Sequence, residues 1–98
     1  MKAYHNELIK DFFEAILLLV NESECDKFFE DICTVKELQD ISQRLSVAKM
    51  LKEGKSYQVI SKETGASTAT ISRVNRCLLY GSGGYETILK RMKNEDEQ

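Results

Sequence analysis

No proline occurs anywhere in this chain, and three of its five glycines fall together in one stretch, 81-GSGG-84. Proline and glycine are the residues that end helices and shape tight turns. A fold of many strands needs turn signals every roughly 8–12 residues. This chain does not carry them. An all-α protein is therefore expected, punctuated at Gly54, Gly65 and the GSGG stretch.

Its 98 residues suffice for one modest domain. That domain is expected over residues 1–93, with an acidic, frayed tail at 94–98. A lone core at this length is marginal, so burial shared with a second chain fits. The longest apolar run is 15-AILLLV-20, flanked by Glu14 and Asn21. It falls far short of the roughly 18 apolar residues of a membrane span. Apolar and acidic residues mix from Glu7 onward, which is not the layout of a signal peptide. A cytoplasmic protein with no membrane partner is expected.

Cys25, Cys33 and Cys77 show no C-x-x-C and no paired spacing, and the one histidine is His5. Zinc sites need about four N/S ligands at tight spacing. No metal is expected, and the cysteines read as small core residues. No Ser/His/Asp set and no glycine-rich phosphate loop is present, and Glu30 and Asp31 are neighbours pointing different ways on a helix. Nothing pairs a nucleophile with a base, so an enzyme is not expected.

The net charge is −2, but its distribution is uneven. Residues 1–35 hold three lysines against eight acids, residues 36–93 hold eleven Lys/Arg against five acids, and the end of the chain adds three acids. A basic segment therefore lies between two acidic ones. Attraction to phosphate follows the local field and not the sum over the chain. A solvated helix surface would show the same imbalance, so charge alone does not decide the matter.

Apolar spacing places the helices. The first runs from about His5 to Val20, and its apolar residues cover well over half its circumference. A surface helix needs a stripe only about 100° wide, so this one needs cover on more than one side, from a second subunit or from a bundle. Ser23 opens a second helix, ending near Cys33, with a capping-box pattern in 23-SECD-26. Thr34 opens a third with 34-TVKE-37, ending at Gly54 beside Lys49, Lys52 and Lys55. Ser56 caps a fourth that Gly65 stops, and Ser67 or Thr68 caps a fifth to about Leu79. Tyr85 to Lys93 forms a sixth.

The fourth and fifth segments, about 56–79, have the pattern of a helix-turn-helix. Gly65 suits the left-handed residue of the turn, and Ser61 is small where the helices cross. Ile60, Ala66, Ile71 and Val74 supply the interior. Thr64 fits least well, at a position that should be mostly buried. The fifth helix begins with Ser67, Thr68, Ala69, Thr70, Ser72 and Arg73, short polar side chains that can enter a major groove. Hydroxyls and Arg73 suit base edges or phosphates, and Ala69 a thymine methyl. The helix N-terminus itself favours phosphate. Gln58, Ser61 and Lys62 would lie at the groove edge or on phosphates. The expected partners are double-stranded DNA and a second copy of the chain. The competing reading is a helical adaptor dimer that binds another protein through its first helix or acidic ends.

The segment TVKELQDISQRLSVAKMLKEGKSYQVISKETGASTATISRVNRCL resembles the tryptophan repressor superfamily, its YerC/YecD-like branch in particular. The likeness spans about residues 25–80, with GASTATISR its most specific part. It implies a six-helix, intertwined homodimer whose first helices wrap each other and whose paired recognition helices read a palindromic operator. It implies a transcriptional regulator, in sense a repressor. In tryptophan-binding members two arginines hold the corepressor, and they correspond to Arg44 and Arg73, with Thr34 also retained. An arginine pair suits a carboxylate. Val74 and Cys77 depart from that pattern, where the repressor has a glycine and a serine, and Asp31 and Cys33 stand where it has leucines. The likeness thus supports DNA binding better than tryptophan binding. It leaves a small carboxylate corepressor open, with no other cofactor; Arg44 and Arg73 equally suit phosphate.

Overall fold

The structure, a computed structural model, describes residues 5–96. Among them lie six helices and no strand: α1 (Glu7–Ile16), α2 (Glu22–Ile32), α3 (Val35–Lys52), α4 (Tyr57–Thr64), α5 (Thr68–Tyr80) and α6 (Gly84–Asp96). The chain divides into two compact units, Met1–Lys36 and Glu37–Gln98, parting just inside the start of α3.

In the first unit, Asn6 caps α1, its Oδ1 accepting from the Ile9 amide at 3.0 Å. The helix ends at Ile16 and not at Val20. Leu18 and Leu19 donate to Ala15 and Ile16, three residues back, which tightens the chain out of the α pattern. An apolar run cannot by itself tell a continuing helix from a turn, and a cap downstream decides here. That cap is Asn21, not Ser23. Its Oδ1 accepts from the Glu24 amide at 2.9 Å. Glu24 sits three residues on, and its Oε1 accepts from the Val20 amide at 3.0 Å. The pair forms a reciprocal box that starts α2 two residues earlier than the 23-SECD-26 pattern suggests. Phe12 of α1 meets Phe28 of α2 at 6.3 Å between ring centroids, and Phe28 meets Phe29 edge-on at 5.4 Å. Yet no residue of α1 or α2 is buried. Leu8, Leu17, Leu18, Val20 and Val35 are each more than 70% exposed.

The second unit holds the core. Val47, Ala48 and Met50 from α3 pack with Ile60 of α4, Ala66 of the turn, and Ile71 and Val74 of α5. Leu51, Tyr57, Leu78, Tyr85 and Leu89 close around them. α3 stops in a two-bond glycine cap: Gly54 (φ 81°) donates to Leu51 and Lys55 to Met50. Lys49 and Lys52 lie in its last turn, beside the negative end of its dipole. α6 starts at Gly84 and continues through Asn94, Glu95 and Asp96, where the sequence reading places a frayed tail. Residues 97 and 98 lie outside the described residues. None of the three cysteines joins the core: Cys25 and Cys33 are half-buried and Cys77 is exposed, all three as free thiols. This corrects the reading of all three as core residues.

Candidate nucleic-acid interface

Ser56 and Ser67 cap α4 and α5. Ser56 Oγ accepts from the Val59 amide at 3.2 Å, and Ser67 Oγ accepts from the Thr70 amide at 3.1 Å. Both helices start as the sequence indicates, because a serine in extended backbone satisfies one of the donors left open in the first turn.

Between them the corner is closed by hydrogen bonds as well as by packing. Gly65 is left-handed, at φ 76°, and its amide donates to Ser61 O at 2.8 Å. Ser61 Oγ donates to Ala66 O at 2.8 Å. Thr64 Oγ1 donates to Ile60 O at 2.7 Å and accepts from the Ala66 amide at 3.1 Å. Thr64, the poorest fit to the motif by type, is therefore a half-buried hydroxyl with both roles filled. A polar group placed there costs little once it is bonded.

The nine residues read as DNA-facing divide by what else they do. Gln58, Lys62, Thr68, Ala69, Ser72 and Arg73 are exposed. Ser61 is half-buried and engaged in the corner. Thr70 is half-buried, its hydroxyl 3.1 Å from that of Ser67. Ser67 is exposed but serves as the cap. Thr68, Ala69, Ser72 and Arg73 fall within roughly 140° of the α5 circumference at 3.6 residues per turn. Arg76 lies within the same arc and is exposed too, a residue the sequence reading missed. The signal is the spacing, since Arg76 follows Ser72 by four and Arg73 by three and so shares their face one turn beyond the polar front. The opposite face of α5 is sealed, with Ile71 0% and Val74 2% exposed.

Of the proposed ligand residues, Thr34 belongs to the first unit, at the position before α3. Arg44 and Arg73 are both exposed in the second, on α3 and α5. Arg44 acts on Tyr85 of α6. Burial raises the Tyr85 phenol above its ordinary 10.0, the nearby Arg44 guanidinium opposes that rise, and Cys77 of α5 adds to it. Arg44, Cys77 and Tyr85 thus lie within electrostatic reach of one another. Val74 is packed in the core and leaves no space of its own.

A separate groove of about 510 Å³ runs between the end of α3 and α6, lined by Lys49, Lys90 and Lys93 among others. The exposed Lys52–Glu86 ion pair, at 2.6 Å, belongs to its lining, and no residue of the α5 front does. Among the described residues no three His, Cys, Asp or Glu side chains gather to hold a metal, and no helix is long and apolar enough to cross a membrane.

A left-handed glycine corner, a buried inner face and an exposed polar and basic outer face define a helix-turn-helix protein. Comparison with known proteins places it further. The chain belongs to the Trp repressor protein family, whose profile matches residues 7–93. It is 51% identical over 90 residues to the uncharacterized protein YerC of Bacillus subtilis, covering 92% of this chain and 86% of that relative. A crystal structure of a candidate Trp repressor from Staphylococcus aureus superposes with a TM-score of 0.88 at 53% identity, covering 91% of this chain and 89% of that one. A TrpR-like protein of Eubacterium eligens gives a TM-score of 0.88 at 49% identity, over 90% of this chain and 91% of that one. The resemblance read from GASTATISR thus holds at the level of family, branch and fold.

Proposed function

We propose that this protein is a transcriptional regulator that binds double-stranded DNA sequence-specifically, as a homodimer, in the cytoplasm. The observation that carries the reading is α5 itself. One face is sealed in the core, while the other presents Thr68, Ala69, Ser72, Arg73 and Arg76 to solvent behind an open helix N-terminus. Thr68, Ala69 and Ser72 are short enough to reach base edges, and Arg73, Arg76 and Lys62 supply charge for phosphates. The family's name supports repression as the sense of regulation.

The dimer rests on the first unit. That unit buries no side chain of α1 or α2 and leaves Leu8, Leu17, Leu18, Val20 and Val35 more than 70% exposed, so it needs cover. A second copy supplies the same faces by symmetry. Two α5 fronts related by a twofold axis would then meet half-sites about one helical turn apart.

An effector with a carboxylate suits the exposed Arg44 and Arg73. Tryptophan is the poorer choice, since Val74 fills the place where the repressor's glycine leaves room. A thermal-shift screen of amino acids and related acids tests this part: stabilisation that Arg44→Ala abolishes supports it, and no stabilisation by any carboxylate overturns it. The function itself is tested by selecting bound duplexes from a random pool. The expected result is an inverted repeat whose preferred bases change on Thr68→Ala or Ser72→Ala, while Arg73→Ala weakens binding to all duplexes alike. Recovery of no motif, with binding that vanishes at moderate salt, refutes sequence-specific regulation. Partners that survive nuclease and ignore Arg73→Ala would favour the adaptor instead.

A further inference from the structure

Four hydrogen bonds close the helix-turn-helix corner from within, through Ser61, Thr64, Gly65 and Ala66. They set its internal shape. They cannot set how the corner sits against the rest of the domain. One further bond does reach outside: Gln43 Nε2 of α3 donates to Thr64 O at 3.0 Å. Thr64 ends α4, so its carbonyl is among those with no acceptor role inside the helix. The same Nε2 would lie 3.8 Å from a Cβ built on Gly65. Gln43 therefore rests over the left-handed residue and holds the carbonyl beside it. Apolar contacts around Val47, Ile60 and Ala66 also join α3 to the corner. Such contacts are strong but non-directional, whereas a hydrogen bond fixes an angle.

We propose that Gln43 is a positioning residue for DNA reading: its carboxamide fixes the corner against α3 and so sets the direction in which α5 projects. This deepens the DNA-binding reading and rests on it. Gln43 touches no base. It acts through Thr64 and Gly65, and its effect belongs to the register of α5 on the base edges and not to the number of phosphates engaged. A small error in orientation matters there, because base contacts are short and directed while phosphate contacts tolerate displacement. The bond is accessible to solvent, since Gln43 and Thr64 also line an open recess of about 540 Å³ with Leu38, Gln39, Ser42 and Ser46.

The test compares Gln43→Met, which keeps length and loses the donor, with Gln43→Glu, which sets an acceptor against the carbonyl. Amide hydrogen exchange of the full-length protein is read first. Exchange at Gly65 and Ala66 should quicken roughly fivefold in Gln43→Met, the order expected for one lost neutral hydrogen bond. Exchange at Val47 and Ile71 should stay unchanged. Binding to the selected duplex should then weaken by a similar factor, with binding to random duplex and the salt slope unaltered. Unchanged exchange at the corner in Gln43→Met overturns the brace. Quickened exchange with undiminished preference for the selected duplex overturns the positioning role. Equal loss on selected and random duplexes does so too, since it marks a general structural defect. If the wild-type protein selects no sequence, the DNA reading fails, and the positioning role that rests on it falls with it; the exchange measurement still decides whether the brace exists. Should Gln43→Glu not fold, Gln43→Met alone decides the outcome.

Discussion

Gly65→Ala isolates the conformational demand of the corner from its packing. A Cβ at Gly65 would have Gln43 Nε2 at 3.8 Å as its nearest neighbour outside the adjoining residues, an ordinary contact with the end of a flexible side chain. The steric term is therefore near zero. What remains is the left-handed backbone at φ 76°. An L-residue with a Cβ pays about 1–2 kcal/mol there. Alanine also restricts the unfolded chain, which returns about 0.4–1 kcal/mol. The net destabilisation is about 1 kcal/mol, or a fall in Tm of about 4–8 °C for a domain of this size. Gly65→Asn should cost less, because asparagine enters this region more readily. Urea denaturation at fixed chain concentration, read by circular dichroism, measures both, and the urea slope should stay unchanged. Gly81→Ala is the contrasting control. Its φ is negative at −82°, yet its Cβ would meet Cys77 O at 2.4 Å, and backbone cannot swing aside as a side chain can. It should destabilise more than Gly65→Ala. A Gly65→Ala protein as stable as wild type, or one less stable than Gly81→Ala, would refute the assignment of the cost to backbone strain.

Other outcomes follow from single side chains. Ser67→Ala removes the α5 cap and should cost about 1 kcal/mol in denaturation. Ser67→Asp keeps a capping oxygen, so it should retain stability while its charge weakens DNA binding in a mobility-shift assay. Arg76→Ala should lower affinity for all duplexes alike and reduce the salt slope by about one. Tyr85 has its pKa raised by burial, so its contribution to stability is fully present below its ordinary 10.0 and is lost as pH rises through the folded value. Tyr85→Phe should therefore flatten part of the stability loss above pH 10, measured by denaturation across alkaline pH.

The helix-turn-helix was legible because its demands are local. Gly65, the serine caps and the apolar set of Ile60, Ala66, Ile71 and Val74 each follow from residue type at a fixed spacing, and all four apolar residues are buried. Helix ends were less legible where two caps compete. Asn21 and Ser23 both qualify by type, and the choice rests on Glu24 reaching back to the Val20 amide, a contact that only the folded turn reveals. The same turn shortens α1, which apolar periodicity alone extends to Val20. Gln43 could not have been found this way. Its partner is 21 residues distant, and the meeting depends on how α3 lies against the corner. Cys77 was misplaced because a cysteine's preference for burial is a tendency, and the α5 periodicity turns this one outward.

The exposed apolar surface of residues 5–36 has a practical consequence. If that surface closes only against another molecule like itself, then dilution is a denaturant. Titrations carried into the low nanomolar range would follow subunit association together with DNA affinity, and their curves would steepen as the total amount of protein falls. A covalently tandem chain, with its two halves held together at every dilution, would give the simple hyperbola that two separate chains could not.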